Sequence, residues 1–280
     1  MWKNVTERIA AELAPCPFIE GVVLGGSRAT GTAAECSDID VGIYYDPESI
    51  DFSRLNEIAR GLDDGHRENL ICREGQWGNW VNCGGWLTVQ GFPVDLILRD
   101  LTRVKAVVER SGEGLFSSHY QPGHPHAYID VMYRGELASC RVLHSANRGF
   151  LELKRRAENY PEPLRKALIS FFLFEARFSL ELARKNAKND DPCYSAGLLF
   201  RSLSALNQVL FALNRVYCLN EKKAVLRIER FPRAPLRYGE RVRQILTSGE
   251  DWRGASLEEL EGLCGDVERM AGEELSPKGM

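Results

Sequence analysis

The sequence lacks several features that would assign it to a protein class directly. Its 280 residues include eight cysteines but no CxxC pair, which argues against a zinc ribbon and a thioredoxin-type motif. Its formal net charge is −3, without the basic surplus typical of proteins that bind duplex nucleic acid. It contains no internal repeat and no low-complexity segment. These absences favour an ordinary globular protein, with room for a local basic pocket that binds a small anion.

Long hydrophobic runs are also missing. No run of 18 or more apolar residues occurs, so we expect no membrane-spanning segment. The N-terminal residues MWKNVTERIAAELAP carry charges within an apolar pattern, which indicates an amphipathic helix rather than a signal peptide. The scattered cysteines are expected to be buried free thiols, and the sequence therefore predicts a cytoplasmic location.

Short apolar runs alternate with Gly, Asp and Asn in the first half of the sequence. The pattern predicts strands at 19–24, 39–45, 86–90 and 94–98, and helices at 52–62 and 101–110. A turn at Gly91-Phe92-Pro93 makes the last two strands an expected antiparallel hairpin. The first half of the sequence is therefore predicted to form a small α/β domain.

The second half has a helical pattern. Residues 111–128 are rich in Gly, Ser, Pro and His and predict a loop. Apolar residues then recur at three- and four-residue steps through 135–160, 161–188 and 196–220, and a final helix is predicted at 257–274. The sequence thus predicts an α+β protein with a small mixed-sheet domain, residues 1–130, followed by a C-terminal helical bundle, residues 131–280.

Two aspartates, Asp38 and Asp40, lie at the start of a predicted strand. Their spacing places both side chains on one face of that strand. Carboxylates held this close repel each other and stay ionised together only beside compensating positive charge. A hard divalent cation such as Mg²⁺ supplies that charge and prefers oxygen ligands. The alternative is that Asp38 caps a turn and Asp40 forms a salt bridge with Arg28.

A glycine turn precedes the two aspartates. Gly26 lets the backbone approach a ligand closely, and a helix that begins near Arg28 offers free N–H groups to an anion. The Ser27 hydroxyl and the Arg28 guanidinium add donors for phosphate oxygens. A phosphate site beside a metal site suits phosphoryl or nucleotidyl transfer. A third acid, Asp95, lies in an otherwise apolar predicted strand, which indicates a metal ligand or, alternatively, an aspartate paired with a basic neighbour.

The order of these residues resembles the nucleotidyltransferase superfamily that includes DNA polymerase beta. The string GGSRATGT is followed by SDID and then by Asp95 on a later strand. The resemblance implies that Gly26 and Ser27 hold the triphosphate of an NTP. It implies that Asp38, Asp40 and Asp95 bind two Mg²⁺ ions, with Asp95 placed to receive the proton of the attacking hydroxyl. In layout alone, the chain is also similar to bacterial aminoglycoside and lincosamide nucleotidyltransferases.

Polar residues of the second half are further candidates. Arg201 and the lysines Lys222 and Lys223 are predicted nucleotide contacts, the lysines because related enzymes place a cation near this point. The alternatives are an intra-bundle salt bridge for Arg201 and a solvated helix end for the lysines. Glu175 and Glu181 are candidates for binding an amino-bearing acceptor, or are solvated or salt-bridged residues.

Aromatic and histidine side chains remain open to two interpretations. Trp77, Trp80 and Trp86 could stack on a base or a sugar, and core packing explains them equally well. The histidines at 119, 124 and 126 have no fourth ligand at a standard spacing for zinc. Their loop either closes over a substrate or is a plain surface loop.

The sequence therefore predicts an enzyme, a Mg²⁺-dependent nucleotidyltransferase. We expect it to move NMP, with AMP from ATP favoured, to a hydroxyl of a small molecule. An aminoglycoside-type antibiotic is the first candidate acceptor, which would make antibiotic resistance its role. Long nucleic acids and membranes are not expected partners, and no oligomeric state is predicted. Two alternatives stay open: an antitoxin-type transferase that adenylylates a protein, and a non-catalytic nucleotide-binding regulator.

Overall fold

The chain divides into two units by its internal contacts. The structure, a computed structural model, describes residues 2–35, 37–189, 191–247 and 253–275, so Cys36 and Asp190 lie outside the described residues. The first unit comprises Met1–Arg110, Phe116–Gly123 and Ala127–Asn159, and the second comprises Ser111–Leu115, His124–His126 and Tyr160–Met280. The domain border expected between residues 130 and 131 stays a prediction.

The first unit contains a mixed five-stranded sheet. The strands of this unit are β1 (Ile19–Leu24), β2 (Ile39–Tyr45), β3 (Cys83–Val89), β4 (Phe92–Asp100), β5 (Ser118–His119), β6 (Tyr128–Ile129) and β7 (Arg141–Ser145). Its helices are α1 (Trp2–Leu13), α2 (Gly26–Ala29), α3 (Phe52–Leu62), α4 (Leu101–Gly112), α5 (Met132–Ser139) and α6 (Arg148–Glu158). The sheet order is β3-β4-β2-β1-β7, and β5 pairs separately with β6. β2 and β4 are parallel, whereas the other neighbours are antiparallel, which confirms the mixed sheet.

Alternation along the strands places an apolar core on each face of the sheet. On one face, Val41 of β2 and Leu96 of β4 belong to a buried cluster with residues of α1 and α3. On the other face, Tyr44 belongs to a second cluster with residues of α4, α5 and α6. Asp40 and Asp95 are out of phase with Val41 and Leu96, so their side chains point toward the second face.

The β3–β4 hairpin is antiparallel, as predicted, but its turn is shorter than expected. Val89 pairs with Phe92, so the connection consists of Gln90 and Gly91 alone. Both have positive φ, 52° and 78°, as in a two-residue turn that matches the twist of the strands. Phe92 and Pro93 therefore belong to β4 rather than to the turn, and β3 begins at Cys83 rather than near Trp86.

One stretch of the predicted helical half is a strand. Residues 141–145, predicted within a helical pattern, form β7 and pair antiparallel with β1. Cys140 ends α5 in an extended conformation. The Asn147 side chain caps α6 by accepting from the Phe150 N–H at 3.1 Å. The short stretch between these two helix ends is thus free to pair with the edge of β1.

The second unit is helical, as the sequence predicts. Its helices are α7 (Glu162–Asn186), α8 (Pro192–Leu213), α9 (Ala224–Ile228), α10 (Tyr238–Thr247) and α11 (Ala255–Leu275). Pro163 lies in the first turn of α7, and Pro192 begins α8, where Asp191 accepts from the Tyr194 N–H at 3.0 Å. Proline is tolerated at such positions because the first N–H groups of a helix have no partner within it.

α8 is apolar around most of its circumference. By length and composition alone it could cross a membrane, but 72% of its most apolar window is buried inside the protein. Core helices of this kind meet the same criterion, so the observation is weak evidence for a membrane span, and its expected absence stays a prediction. The seven described cysteines are free thiols, and five of them are buried.

Candidate functional site

The turn after β1 is held against β2. The Gly25 N–H donates to the Asp40 carbonyl at 2.8 Å, so the turn extends the sheet by one position. Gly26 has a φ of +56°, a conformation that favours glycine. A Cβ atom on Gly26 would lie 1.8 Å from Asp40 Oδ2. Gly26 is therefore required both by its backbone and by the close approach of the Asp40 carboxylate.

Arg28 fixes the segment that leads to the aspartates. Its guanidinium donates to the backbone carbonyls of Asp38 at 3.2 Å, of Glu35 at 3.3 Å and of Ser37. The same guanidinium lies 5.4 Å from the ring of Trp2. In this arrangement Arg28 holds backbone, and no ion pair between Arg28 and Asp40 is found among the described residues. A cleft of about 460 Å³ opens here, lined by Trp2, Arg28, Gly31, Ala33, Ala34, Glu35 and Phe92.

Two of the three candidate carboxylates are brought together. Asp40 and Asp95 are direct partners across the parallel strands β2 and β4, although 55 residues separate them in the chain (95 − 40). Burial, followed by the charges of Asp40 and Asp38, raises the pKa of Asp95 to about 6. Burial, followed by the charge of Asp38, also raises the pKa of Asp40, although Arg28 opposes this. The pair is thus a site of uncompensated negative charge.

The chemistry of these donors fits a divalent cation. Three carboxylates offer hard oxygen ligands. Burial and the neighbouring carboxylate charges raise the pKa of Asp40 and of Asp95, so a bound cation would stabilise their ionised forms. The described part of the chain contains no group of three or more His, Cys, Asp or Glu that could already surround a metal ion. The ligand set Asp38, Asp40 and Asp95 is therefore a proposal that rests mainly on the Asp40–Asp95 pair.

Sequence reasoning missed a partly buried ion pair on the same sheet face. Arg99 lies four residues after Asp95, in phase with it, and donates to both carboxylate oxygens of Glu136 at 2.8 and 2.9 Å. It also donates to the Val81 carbonyl at 2.7 Å. A charged residue two strand periods after Asp95 was the available signal. The pair ties α5 to the sheet, and the Glu136 charge adds to the raised pKa of Asp40.

The three tryptophans fall into two environments. Trp80 stacks on His119 at 4.0 Å and on Tyr128 at 5.8 Å, within an aromatic cluster of the second face. Trp86 is 62% exposed and stacks on Trp77, with ring centroids 4.7 Å apart. Trp80 is thus a packing residue, whereas Trp86 presents ring surface to solvent.

The structure gives the contacts and the exposure of the candidate residues in the second unit. Arg201 forms an ion pair with Glu175 at 2.5 Å, and Glu175 also contacts His126 at 3.1 Å. Burial favours a higher pKa for Glu175, but the contacts with His126 and Arg201 outweigh it and lower the pKa. The side chains of Lys222 and Lys223 are exposed, and Lys223 adopts a φ of +63° just before α9. Their proposed contact with a nucleotide stays a prediction.

Two other candidates have structural partners. Glu181 pairs with Arg184 at 3.2 Å on the surface of α7. Ser117 donates to Asp130 at 2.7 Å, and this makes the His119 ring nitrogen the donor in its 2.8 Å bond with Ser117 Oγ. His119 belongs to the first unit and His126 to the second.

Comparison with known proteins agrees with this geometry. The family model described as "Nucleotidyltransferase domain" matches residues 5–111, which contain the glycine turn and all three aspartates. A second model, "Domain of unknown function (DUF4037)", matches residues 135–222. No curated protein matches the chain.

Eleven solved chains are similar in structure. One is a nucleotidyltransferase-like protein from Exiguobacterium sibiricum, with 12% sequence identity and a TM-score of 0.50. The match covers 98% of the present chain and 78% of that chain, and at this identity it shows a shared fold. The family model thus identifies residues 5–111, which contain the glycine turn and the paired aspartates, as a nucleotidyltransferase domain.

Proposed function

We propose that the first unit transfers a nucleoside monophosphate from an NTP, with ATP as the favoured donor, to a hydroxyl of a small molecule. The observation that carries the proposal is the side-by-side pairing of Asp40 and Asp95, with the glycine turn bonded to the Asp40 carbonyl. Nucleotidyl transfer itself is the activity of the domain family.

The residues have distinct roles in this proposal. The backbone N–H groups of Gly26 and Ser27, with the Ser27 hydroxyl, donate to oxygens of the triphosphate. Asp38, Asp40 and Asp95 would hold Mg²⁺, two ions by the superfamily resemblance, which when bound supplies positive charge to the phosphates. The negative charge of three carboxylates would otherwise repel the triphosphate.

Asp95 is the proposed base. The acceptor oxygen forms a bond to the α-phosphorus, the bond to pyrophosphate breaks, and the hydroxyl proton passes to a carboxylate oxygen of Asp95.

The acceptor is proposed to be an aminocyclitol or aminoglycoside, a polycation that suits an acidic cleft. This choice rests on similarity of layout and on charge, and with it we propose antibiotic modification in the cytoplasm. Arg201, Lys222 and Lys223 are retained as proposed nucleotide contacts, although Arg201 would have to share its guanidinium with Glu175.

Pyrophosphate release tests this proposal. Each of the four NTPs is incubated with Mg²⁺ and a panel of aminoglycosides, lincosamides and simple polyols. The variant is Asp40→Asn, and the matched control is Asp46→Asn, which alters an aspartate just after the other end of β2. We expect acceptor-dependent release that Asp40→Asn abolishes and Asp46→Asn retains.

Other outcomes separate the alternatives. Binding of ATP without release by any panel member would overturn the antibiotic acceptor. Labelling of protein in a cell extract by labelled ATP would then indicate a protein-modifying transferase, and binding without transfer would indicate a regulator. Failure to bind any NTP with Mg²⁺ would overturn the assignment of Gly26 to Asp40.

A further inference from the structure

Four positions form a row across one end of the sheet. Asp40 is the direct partner of Asp95, and Asp95 is the direct partner of Trp86 on β3. On the other side of Asp40, the Gly25 N–H donates to the Asp40 carbonyl. Direct partners in neighbouring strands point to the same face of a sheet. The order across the row is therefore glycine turn, Asp40, Asp95 and Trp86.

Trp86 is held as an exposed aromatic surface. Its side chain is 62% exposed, and it stacks on Trp77 with an interplanar angle of 24°. Trp77 lies over Gly84, two residues before Trp86 on the same strand face, where a Cβ would come within 2.5 Å of its ring. Trp77 covers one side of the Trp86 ring and leaves other parts of it accessible.

Hydrogen bonds anchor the main chain of Trp77, the residue whose ring supports Trp86. The Trp77 carbonyl accepts from Gln121 Nε2 at 2.6 Å, and its N–H donates to the Asn82 carbonyl at 3.0 Å. A tryptophan that is both exposed and rigidly backed is unusual as a packing residue, because its large apolar ring is left in water. Binding of a substrate next to Asp95 would explain why this ring is exposed.

The in-line geometry of the reaction places the two substrates on opposite sides of the phosphorus. In phosphoryl transfer, the attacking and leaving oxygens are roughly in line on opposite sides of the phosphorus. With the leaving phosphates on the Gly26 turn, the acceptor hydroxyl approaches from the Asp95 side of the row. The ring of Trp86 lies next to Asp95 on that side.

We propose that Trp86, backed by Trp77, is the stacking platform for the acceptor, and that the acceptor is a hydroxylated ring such as a sugar or an aminocyclitol. The inference rests on the proposed function and names its substrate class. The indole face offers a flat apolar surface to the C–H face of such a ring, and its negative electrostatic potential attracts ring amines. Stacking then places a ring hydroxyl next to Asp95, which receives its proton as described above.

Acceptor binding tests the inference with defined probes. Kanamycin A and myo-inositol serve as ring compounds, and sorbitol serves as an open-chain polyol without a flat face. The variants are Trp86→Ala and Trp86→Phe, and Tyr120→Ala is the matched control, since Tyr120 is an exposed aromatic of the same unit at 93% exposure. Calorimetry measures the binding of ATP with Mg²⁺ and the binding of each acceptor probe, and steady-state assays separate kcat from acceptor KM.

We expect Trp86→Ala to weaken binding of the ring compounds and to raise the KM for these acceptors on the order of tenfold, because one stacking contact is lost. The value of kcat should be largely retained. Trp86→Phe restores most of the affinity, and Tyr120→Ala changes nothing. ATP binding with Mg²⁺ is the same in all four proteins, and sorbitol binds weakly to each. The retained ATP binding also shows that the variants fold.

The contrary outcomes are distinct. If the unaltered protein does not bind ATP with Mg²⁺, the proposed function itself fails. If it does, but Trp86→Ala weakens ATP binding rather than ring binding, the ring holds the nucleobase and the acceptor platform is overturned. The platform is also overturned if neither ring compound binds the unaltered protein, or if Trp86→Ala binds them as well as the unaltered protein does.

Discussion

Two groups of carboxylates, one in each unit, differ in their partners. In the second unit, Arg177 bonds both Glu261 and Glu268. In the first unit, no ion pair with Asp40 or Asp95 is found within the described ranges, and burial and mutual repulsion raise their pKa values. Paired acids contribute to stability, whereas uncompensated acids cost stability and keep charge available for a ligand. The difference supports the proposed role of the Asp40–Asp95 pair as a functional site.

The contrast also holds within the first unit. Asp63 is buried and accepts from Arg67 at 2.7 and 2.9 Å and from the Thr88 N–H at 2.9 Å. These bonds lower its pKa, and the side chain of Arg67 provides the largest contribution. Burial alone therefore does not identify a functional acid. The presence or absence of hydrogen-bonding and charged partners distinguishes Asp63 from the Asp40–Asp95 pair.

The largest expected effect is that of Asp95→Asn. The amide cannot accept the hydroxyl proton, so we expect kcat/KM for nucleotidyl transfer to fall by about 10²–10⁴-fold. Thermal unfolding in EDTA should show a midpoint at least as high as that of the unaltered protein, because a partly buried, repelled charge is removed. A clearly lower midpoint would instead make Asp95 a structural residue.

Gly26→Ala should have the next largest effect. Both the positive φ and the approach to Asp40 Oδ2 oppose a side chain, so we expect a loss of about 3 kcal/mol in the free energy of unfolding, and loss of ATP binding. Gly31→Ala is the matched control, because Gly31 also has positive φ, +72°, but nothing within 4 Å of a Cβ. That control should lose only about 1 kcal/mol by urea unfolding. Equal losses would show that the approach to Asp40 is unimportant.

Asp63→Asn should destabilise the protein in a pH-dependent way. At pH 7 we expect a loss of about 2 kcal/mol, because the amide leaves donors of Arg67 and Thr88 poorly matched. Since the folded pKa of Asp63 lies below the unfolded value of about 3.9, its contribution is complete above that value and is lost as the pH falls through the folded pKa. Urea unfolding from pH 7 to pH 3 should show the difference shrinking in the acidic range, and a constant difference would contradict this.

Arg177→Met should have the smallest of these effects. Its carboxylate partners are partly exposed, so solvent screens them, and we expect a loss of about 1 kcal/mol with no change in ATP affinity. The control is Arg54→Met, which breaks an exposed pair with Glu57 and should leave the unfolding curve unchanged. Weaker ATP binding by Arg177→Met would argue against the division between stabilising and functional charges.

The sequence predicts the local features of the site well. The predicted limits of the strands 19–24 and 39–45 equal the observed ones, because short apolar runs bounded by glycine and aspartate mark both strands. The glycine turn and the Asp38–Asp40 spacing are likewise local patterns. The register of Asp95 against Asp40 was harder, since no local rule gives the pairing of two parallel strands that lie 55 residues apart (95 − 40). The register of Trp86 against Asp95 follows from the turn at Gln90 and Gly91, which the sequence pattern predicts at 91–93.

Other misses have a physical origin in tertiary contacts. β7 depends on the open edge of β1, which a helical pattern in 135–160 does not reveal. The Arg99–Glu136 pair joins a strand to a helix 37 residues later, and only the phase of Arg99 with Asp95 hinted at it. For Arg201, the structure shows the intra-bundle salt bridge, with Glu175, and the nucleotide contact stays a prediction.

The most direct measurement of the central claim is ATP binding by calorimetry, with Mg²⁺ and with EDTA. It compares the unaltered protein with Asp40→Asn, Asp95→Asn and the control Asp46→Asn. We predict that Mg²⁺ strengthens ATP binding in the unaltered protein and in the control, and that both site variants lose this strengthening. Equal ATP affinity with and without Mg²⁺, or the same Mg²⁺ response in all four proteins, would contradict a metal-dependent nucleotide site at Asp40 and Asp95.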